Sequence, residues 1–556
     1  MSLLVGLALG CRAPAPAPDT RAWVDPAPPL LEDLDPDPMG FEADLVAAET
    51  TWSYAPGVPI RGLAYGGAVP GPLIRVPAGA RVRVHLHNEL PDGFPTTVHW
   101  HGIEGNNASD GTPVTQAGVP PGGTFDYDFV ATRPGVYWYH PHVRGAQGVF
   151  EGLYAPLVVE DPDEAELVAR GVLPADDRVL VLSDVTDYDG APVSVEVDNA
   201  MERMNGTEGH HLLINGKEDP VFEVGAGGAV RLRLVNTSIT RFWRLSVPGA
   251  VLYRVGGEGG LLDRVRVEGG TVPGTRVSAS GEDLGDVDVP LGYDRGEILL
   301  APAERADVVL VADGAPGDAL ELRWSDYARG RHGMWMEGDV MVMDDAPDDG
   351  LRDGEVVATF RLTDAAAAPW DHGEGDPVLE AVGRSVGALD DAAALDWTGE
   401  RAMVLSEWMD MVQDAGGRWD MATELYVDGV SWHPDPLGGA AQPEAPTAVH
   451  ARLGDVVDWE VRNDSGMAHP LHLHGFSYQP LGFARTDEDD GTVTSWSLPY
   501  DEYEDTTLIP GHTSLLLRVA FEDPVGDGGA VGRWMRHCHI LQHGEDGMMS
   551  ELVVDP

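Results

Sequence analysis

The 556-residue sequence predicts an all-β protein made of three β-sandwich domains. Three observations carry this expectation. Glycine (69) and proline (43) are abundant and punctuate many short Val/Leu/Tyr/Trp runs, the composition of a turn-rich β protein. A segment with alternating apolar residues occurs three times: Gly79-Ala-Arg-Val-Arg-Val-His-Leu-His-Asn88, Gly227-Gly-Ala-Val-Arg-Leu-Arg-Leu-Val-Asn236 and Gly454-Asp-Val-Val-Asp-Trp-Glu-Val-Arg-Asn463. Its period of two is that of a strand with one buried face. Finally, Gly135-Val-Tyr-Trp-Tyr-His140-Pro-His142 has an echo in Gly532-Arg-Trp-Met-Arg-His537-Cys-His539, and each is followed by a glycine and a closing Val-rich strand.

The repeats place the domains at about residues 45–165, 175–345 and 355–556, after a leader and Pro-rich tether over 1–44. Glycine opens each repeated strand and asparagine closes it. The middle copy has no His-x-His, so the middle domain is expected to act as a spacer that fixes how the outer two meet. Few segments read as helices; Asp364–Ala368 and Asp390–Leu395 are expected to form short ones.

Charge narrows the partners. Thirty-six basic residues stand against 92 acidic ones, a net charge of −56, and Lys217 is the single lysine. Such a surface repels nucleic acid and anionic lipid. The acid excess is read as solvated surface, with Asp344–Asp349 and Asp487–Asp490 as loops. Two cysteines, Cys11 and Cys538, cannot form a disulfide framework. Ser2–Gly10 is a short apolar run before Cys11, followed by an Ala-Pro tether. It looks like a bacterial lipoprotein signal, although no basic residue precedes the run and Leu9 stands where a small residue is usual. This predicts an extracytoplasmic protein, in the periplasm or as an outer-membrane or cell-surface lipoprotein, anchored by lipid on Cys11.

Ten of the 19 histidines fall in four tight clusters. These are His99-Trp-His101, His140-Pro-His142, His469-Pro-Leu-His472-Leu-His474 and His537-Cys538-His539-Ile-Leu-Gln-His543, the last running on to Met548. Residues i and i+2 of a strand share a face, about 6.6 Å apart, so one His-x-His can serve neighbouring metals or be an ordinary polar face. His85-Leu-His87 is the ordinary kind, because it shares its face with Arg81 and Arg83. In the last cluster His537 and His539 share one face and Cys538 takes the other. Cys538, His469, His543 and a weak axial Met548 form the ligand set of a blue-copper electron-transfer site. Zinc would favour four closed Cys/His ligands and leave eight histidines without a role.

The four clusters resemble the copper-binding motifs of the multicopper oxidases, a family that includes laccases, copper-efflux oxidases and ascorbate oxidase. The flanking Asp110-Gly-Thr-Pro-Val-Thr-Gln116, Pro121-Gly-Gly-Thr-Phe and Pro510-Gly agree, and the resemblance runs over about residues 55–556. It implies three cupredoxin-like Greek-key domains and four copper ions. His99 and His472 would hold the type 2 ion. His101, His140 and His539 would hold one type 3 ion, and His142, His474 and His537 the other. His469, Cys538, His543 and axial Met548 would hold type 1. Asp110 matches the acid that assists proton delivery. Electrons would enter one at a time through the ring edge of His543, cross Cys538 to its neighbours, and reduce O2 to water. Axial Met548 implies a lower type 1 potential than Leu or Phe would.

One departure bears on protons. Relatives place an acid beside the last type 1 histidine, where this chain has Gln542 and Gly544, with Glu545 and Asp546 further on. Asp110 would then carry more of that task. The expected reductant is a small organic molecule, a phenol or aryl amine, as for a laccase. A metal ion, Cu(I), Fe(II) or Mn(II), is the alternative. The methionines that would suit Cu(I), Met334/Met336/Met341/Met343 and Met409/Met411/Met421, are sparse and read as core. A copper-free structural relative, a simple electron-transfer cupredoxin and a two-domain nitrite reductase all fit the full ligand set and three units less well. One chain carries both halves of the cluster, so a monomer suffices.

Overall fold

The computed structural model describes residues 23–556 apart from 196–199, 338–339, 346–352, 390–394, 414–418, 488 and 499–500. Cys11 and its apolar run lie outside the described residues, as does most of the expected helix Asp390–Leu395. No helix among the described residues is long and apolar enough to cross a membrane.

Each repeated strand lies central in a sheet. In the first domain Ala80–Glu89 lies between Gly40–Ala55 and Thr124–Ala131. Val82, Val84 and Leu86 are fully buried, while Arg81, Arg83, His85 and His87 line the outer face. The facing sheet orders Ile74–Pro77, Ala155–Glu160, Gly135–His140 and His99–His101. The first strand starts at Gly40, inside the segment read as tether. The stretch ahead of it is also bridged to the domains, Val24 to Val221 and Leu30 to Leu73.

The closing asparagines do the same work in all three copies. Asn88 Nδ2 donates to the carbonyls of Phe94 (3.1 Å) and Val119 (2.8 Å), and its Oδ1 accepts from Leu90 N. Asn236 donates to Arg241 O and Leu300 O and accepts from Ser238 N. Asn463 donates to Met467 O, Ile509 O and Pro510 O and accepts from Ser465 N. Each side chain stitches a buried loop whose backbone groups would otherwise be unpaired. The opening glycines all adopt left-handed backbone, φ +87°, +76° and +92° at Gly79, Gly227 and Gly454. Because Asn463 ties the approach to the His469 strand to the end of the strand paired with it, Asn463→Ala is expected to cost about 2–4 kcal/mol from stranded buried partners. A lower denaturant midpoint for loss of third-domain tryptophan fluorescence would measure it.

Two expectations need correction here. The middle strand Ala229–Asn236 does not alternate: it is buried throughout. Arg231 and Arg233 tolerate this because Asp177, Glu164 and Asp307 pair with them in a layer that covers the outer face. Asp364–Ala368 is not helical. Pro369 follows and disfavours helical backbone at Ala368, and Ala365 and Ala367 lie tight against Gly225 and Gly228.

The boundary near 355 also moves. Glu355–Thr363 pairs with Val221–Gly225 and Ala319–Ser325, so it belongs to the middle domain rather than opening the third. Conversely, the hairpin Thr271–Val277/Asp283–Pro290 leaves the middle domain and pairs with Val493–Trp496 of the third. The acidic run at 344–349 begins inside the strand Val340–Asp345. In the other run, Asp487, Asp489 and Asp490 are exposed. The third domain's second sheet orders Val449–Arg452, Met549–Asp555, Gly532–Cys538, His469–Leu473 and Thr506–Ile509. It faces the first domain's His99–His101 edge.

Candidate metal centre

Strand register brings the four clusters together. His99 lies opposite His140 across one antiparallel pair, and His472 opposite His537 across another, with Leu471 opposite Cys538. Eight histidines thus meet between the first and third domains: 99, 101, 140, 142, 472, 474, 537 and 539. All are buried except His142, which is half-buried. Cys538, on the opposite pleat, points into the third domain. His85 and His87 lie away from this centre, hydrogen-bonded at the surface to Asp126, Glu42 and Asp44.

Hydrogen bonds on the far side of six of the eight rings decide which nitrogen faces inward. Nδ1–H of His99 donates to Asp110 O (2.7 Å), that of His472 to Asp505 O (2.9 Å), and that of His140 to Pro141 O (3.0 Å). That of His537 donates to Cys538 O (2.8 Å) and that of His474 to Asp110 Oδ1 (3.1 Å). His101 is reversed: its Nε2–H donates to Asp505 Oδ1 (2.9 Å). The inward atoms are therefore Nε2 of most rings and Nδ1 of His101.

Those inward atoms lack partners. Nε2 of His99, His140 and His472, Nδ1 of His101 and both nitrogens of His539 are buried without a hydrogen bond. His474 Nε2 and His537 Nε2 stand 3.0 Å apart. Both carry lone pairs, since each ring's proton is on Nδ1, so they cannot bond to each other. Burial, joined by neighbouring histidines, holds His101, His140, His142, His474 and His539 well below the usual imidazole range, and pushes His537 down to about 3. Neutral, buried rings with converging lone pairs are a ligand set that metal cations satisfy. Potential donor atoms group as His99/His101/His472, His101/His140/His539 and His142/His474/His537.

The second site is built on sulfur. Cys538 Sγ lies 3.4 Å from His469 Nδ1 and 3.8 Å from His543 Nδ1, with 3.3 Å between the two nitrogens. His469 Nε2 meets Ser465 Oγ at 2.9 Å, and His543 Nε2–H donates to Met204 O at 2.8 Å. Met548 is fully buried and clamps the loop: its N donates to His543 O and its carbonyl accepts from Cys538 N. Burial pushes the Cys538 thiol up, so without a metal it stays protonated. One soft thiolate between two imidazoles fits copper.

Asp110 joins the two halves of the histidine cavity. Besides its contacts with His99 and His474, its Oδ2 accepts from Thr112 Oγ1 at 2.8 Å. Gln542 serves the fold, bonding to Thr207 N and Val195 O. Glu545 Oε1 accepts from Ala146 N (3.2 Å). A cavity of about 510 Å³ lined by His142, Arg144, Glu545 and Asp546 opens beside these groups.

The His543 ring, through whose edge electrons are expected to enter, does not lie open at the surface. His543 is fully buried, and the short helix Ala200–Asn205 of the middle domain lays the Met204 carbonyl across its Nε2. The middle domain is therefore more than a spacer. It also supplies Arg305 and Glu258 behind the histidine cavity. These residues, with Asp505, Ser465 and Met204, escaped sequence reading. Only Ser465, four residues before His469, and Asp505, five before Pro510-Gly, lie near a recognised motif.

Fold and site together define a copper protein of cupredoxin-like β-sandwich domains. Profiles of the multicopper oxidase family match residues 46–164 and 418–556. The chain belongs to the multicopper oxidases, copper-dependent oxidoreductases with O2 as acceptor. It is 26% identical to the multicopper oxidase MmcO of Mycobacterium tuberculosis over 519 residues, covering 88% of this chain and 82% of the relative. It is likewise 26% identical to Laccase-2 of Cryptococcus neoformans var. grubii, with 88% and 80% covered. Among solved structures, a multicopper oxidase from Pseudomonas thermotolerans superposes with a TM-score of 0.66 at 25% identity, covering 93% of this chain and 99% of the other. A Campylobacter jejuni enzyme described as a metallo-oxidase gives 0.69 at 22%, with 96% of each chain covered.

Proposed function

We propose that the chain is a laccase-like oxidase that takes electrons singly from small phenols or aryl amines and passes them to O2, yielding water. The observation that carries this reading is the placement of Cys538 between His537 and His539, with the thiol in one site and both rings in the other. We assign type 1 copper to His469, Cys538, His543 and Met548, and type 2 to His99 and His472. The type 3 pair goes to His101/His140/His539 and His142/His474/His537. When bound, copper supplies one-electron redox chemistry at the sulfur site and reduction of O2 in the histidine cavity.

The chain's own groups connect and protect these sites. The His537 Nδ1–H bond to Cys538 O adds a second contact to the covalent link between them. Buried, neutral rings exclude side reactions with bulk water. Asp110, touching rings from both halves of the cavity, is placed to hold and pass a proton. Glu545, at the cavity beside His142, is the other acid in reach.

A metal-ion reductant is the second reading, and one observation favours it. The helix that covers His543 packs against the strands Trp419–Val427 and His332–Glu337. In their hairpins Met411 lies opposite Met421, Met334 opposite Met343, and Met336 opposite Met341. Only the backbone of these methionines falls within the described residues. We further infer an extracytoplasmic monomer held by lipid on Cys11, supported by the apolar run before that cysteine.

Oxygen uptake by copper-loaded protein, with a phenol in one cell and Cu(I) in another, tests the reductant. Uptake at least tenfold faster with the phenol is expected. The reverse order would replace the laccase reading by the metal-ion one.

A further inference from the structure

We propose that Arg305 of the middle domain is a positioning residue for the histidine cavity, fixing the Asp505 carboxylate that turns His101 the opposite way from its neighbours. The inference rests on the copper assignment above.

His101, like His474 on Asp110, is held by a side-chain carboxylate rather than by a main-chain carbonyl. Backbone carbonyls, which cannot rotate, receive the protons of His99, His140, His472 and His537. The Nε2–H of His101 instead meets a side-chain carboxylate, Asp505 Oδ1 at 2.9 Å, and Thr506 Oγ1 at 3.1 Å. A free carboxylate could swing away. Arg305 prevents this with a two-pronged grip: Nη1 on Oδ1 at 2.8 Å and Nη2 on Oδ2. A bidentate fork fixes the plane of a carboxylate as well as its distance. Thr506 Oγ1–H also donates to Oδ1 at 2.9 Å.

Arg305 is itself immobilised, and by all three domains. Its Nε–H donates to Val136 O of the first domain at 2.8 Å, on the strand that ends in His140. Nη1 also reaches Ala303 O (2.9 Å) and lies 3.3 Å from Glu258 Oε1. Glu258 Oε2 accepts from the main-chain N–H groups of Asp505 (2.8 Å) and Thr506 (3.0 Å). The knot is closely packed: a methyl on Gly102 would lie 2.8 Å from Arg305 Nη2 and 2.8 Å from the Tyr137 ring. Arg305 is fully buried.

The knot reaches two rings at once. Asp505 holds His101 through its carboxylate and His472 through its carbonyl. Without the guanidinium, the buried carboxylate loses its counter-charge and its orientation together. The His101 ring is then free to rotate, and the Asp505–Thr506 backbone that anchors His472 loosens. Loss of an outer partner of this kind costs 10- to 100-fold in metal affinity, on the order of the effects seen at other metal sites.

The test compares Arg305→Leu and Arg305→Lys with the parent by copper content, electron paramagnetic resonance and blue absorption. The Leu variant is expected to keep the blue type 1 band while type 2 copper binds about 10- to 100-fold more weakly with an altered signal. Lysine restores the charge but not the fork, so about tenfold weakening is expected there. If Leu fails to fold, the Lys variant carries the test, with its blue band as the check on folding. Folded variants whose type 2 signal and copper affinity match the parent would overturn the role of Arg305. A parent that takes up copper at the blue site alone would instead overturn the four-copper assignment.

Discussion

Cys538→Ser is expected to abolish blue colour and to drop reductant-driven oxygen uptake to background, while leaving a folded protein that holds copper in the histidine cavity. The sulfur is the one thiolate ligand of its site and the atom that links it, through the backbone, to His537 and His539. A serine hydroxyl keeps the shape and removes both properties.

The loss must be separable from unfolding, and the magnitudes allow it. A hydroxyl buried near His469 Nδ1 and His543 Nδ1 costs about 1–3 kcal/mol at most, less if it bonds to one of them. That is a fraction of what holds the third-domain core, which packs Trp397, Trp459, Trp534 and Phe521 around this strand. Copper content near three per chain, an intact type 2 signal and a thermal midpoint lowered by only a few degrees should therefore accompany the loss of turnover. If the serine variant turned over with phenol at the parent's rate, electrons would be entering elsewhere and the proposed route would fail. A related measurement follows from the neutral thiol. Binding copper must displace its proton, so type 1 loading should weaken about tenfold per unit as pH falls.

The legible parts of this molecule were the local ones. His537, Cys538 and His539 could be assigned to opposite faces because pleating is a nearest-neighbour property. His85-Leu-His87 could be set aside because Arg81 and Arg83 share its face, and the structure places it at the surface. The recurring asparagines marked strand ends correctly, but what they do there depends on carbonyls up to 64 residues away, as from Asn236 to Leu300. Arg305 and Asp505 are 200 residues apart, and no spacing rule joins an arginine in one domain to an aspartate in another. The alternation rule failed at Arg231 and Arg233 for a related reason: it reads charge as exposure, and distant carboxylates cancelled that inference. Coverage of His543 by Met204 is a main-chain contact and leaves no mark in side-chain chemistry.

Gly111→Ala is expected to destabilise the protein by about 3–5 kcal/mol and to leave it deficient in cavity copper. Two costs add. Gly111 has φ +76°, left-handed backbone that costs a side-chain-bearing residue about 1–2 kcal/mol. Its added methyl would also land inside the carbonyl oxygen of Val98 and 2.9 Å from His99 N. Those atoms are backbone at the start of the His99–His101 strand and cannot step aside without carrying His99 with them. Asp110, one residue earlier, would shift too, and with it the acceptors of His99 and His474. Gly122 isolates the conformational part. It has φ +79° and nothing within 4 Å of the same methyl, so Gly122→Ala should cost only about 1–2 kcal/mol and leave copper content unchanged. Paired denaturation curves and copper analyses of the two variants separate the terms. Equal losses would mean that the glycine is needed for its φ alone and that the close approach of the Asp110 loop to His99 does not position the site. A Gly111 variant that loses copper out of proportion to Gly122 would mean that the loop holds the ring where the metal needs it.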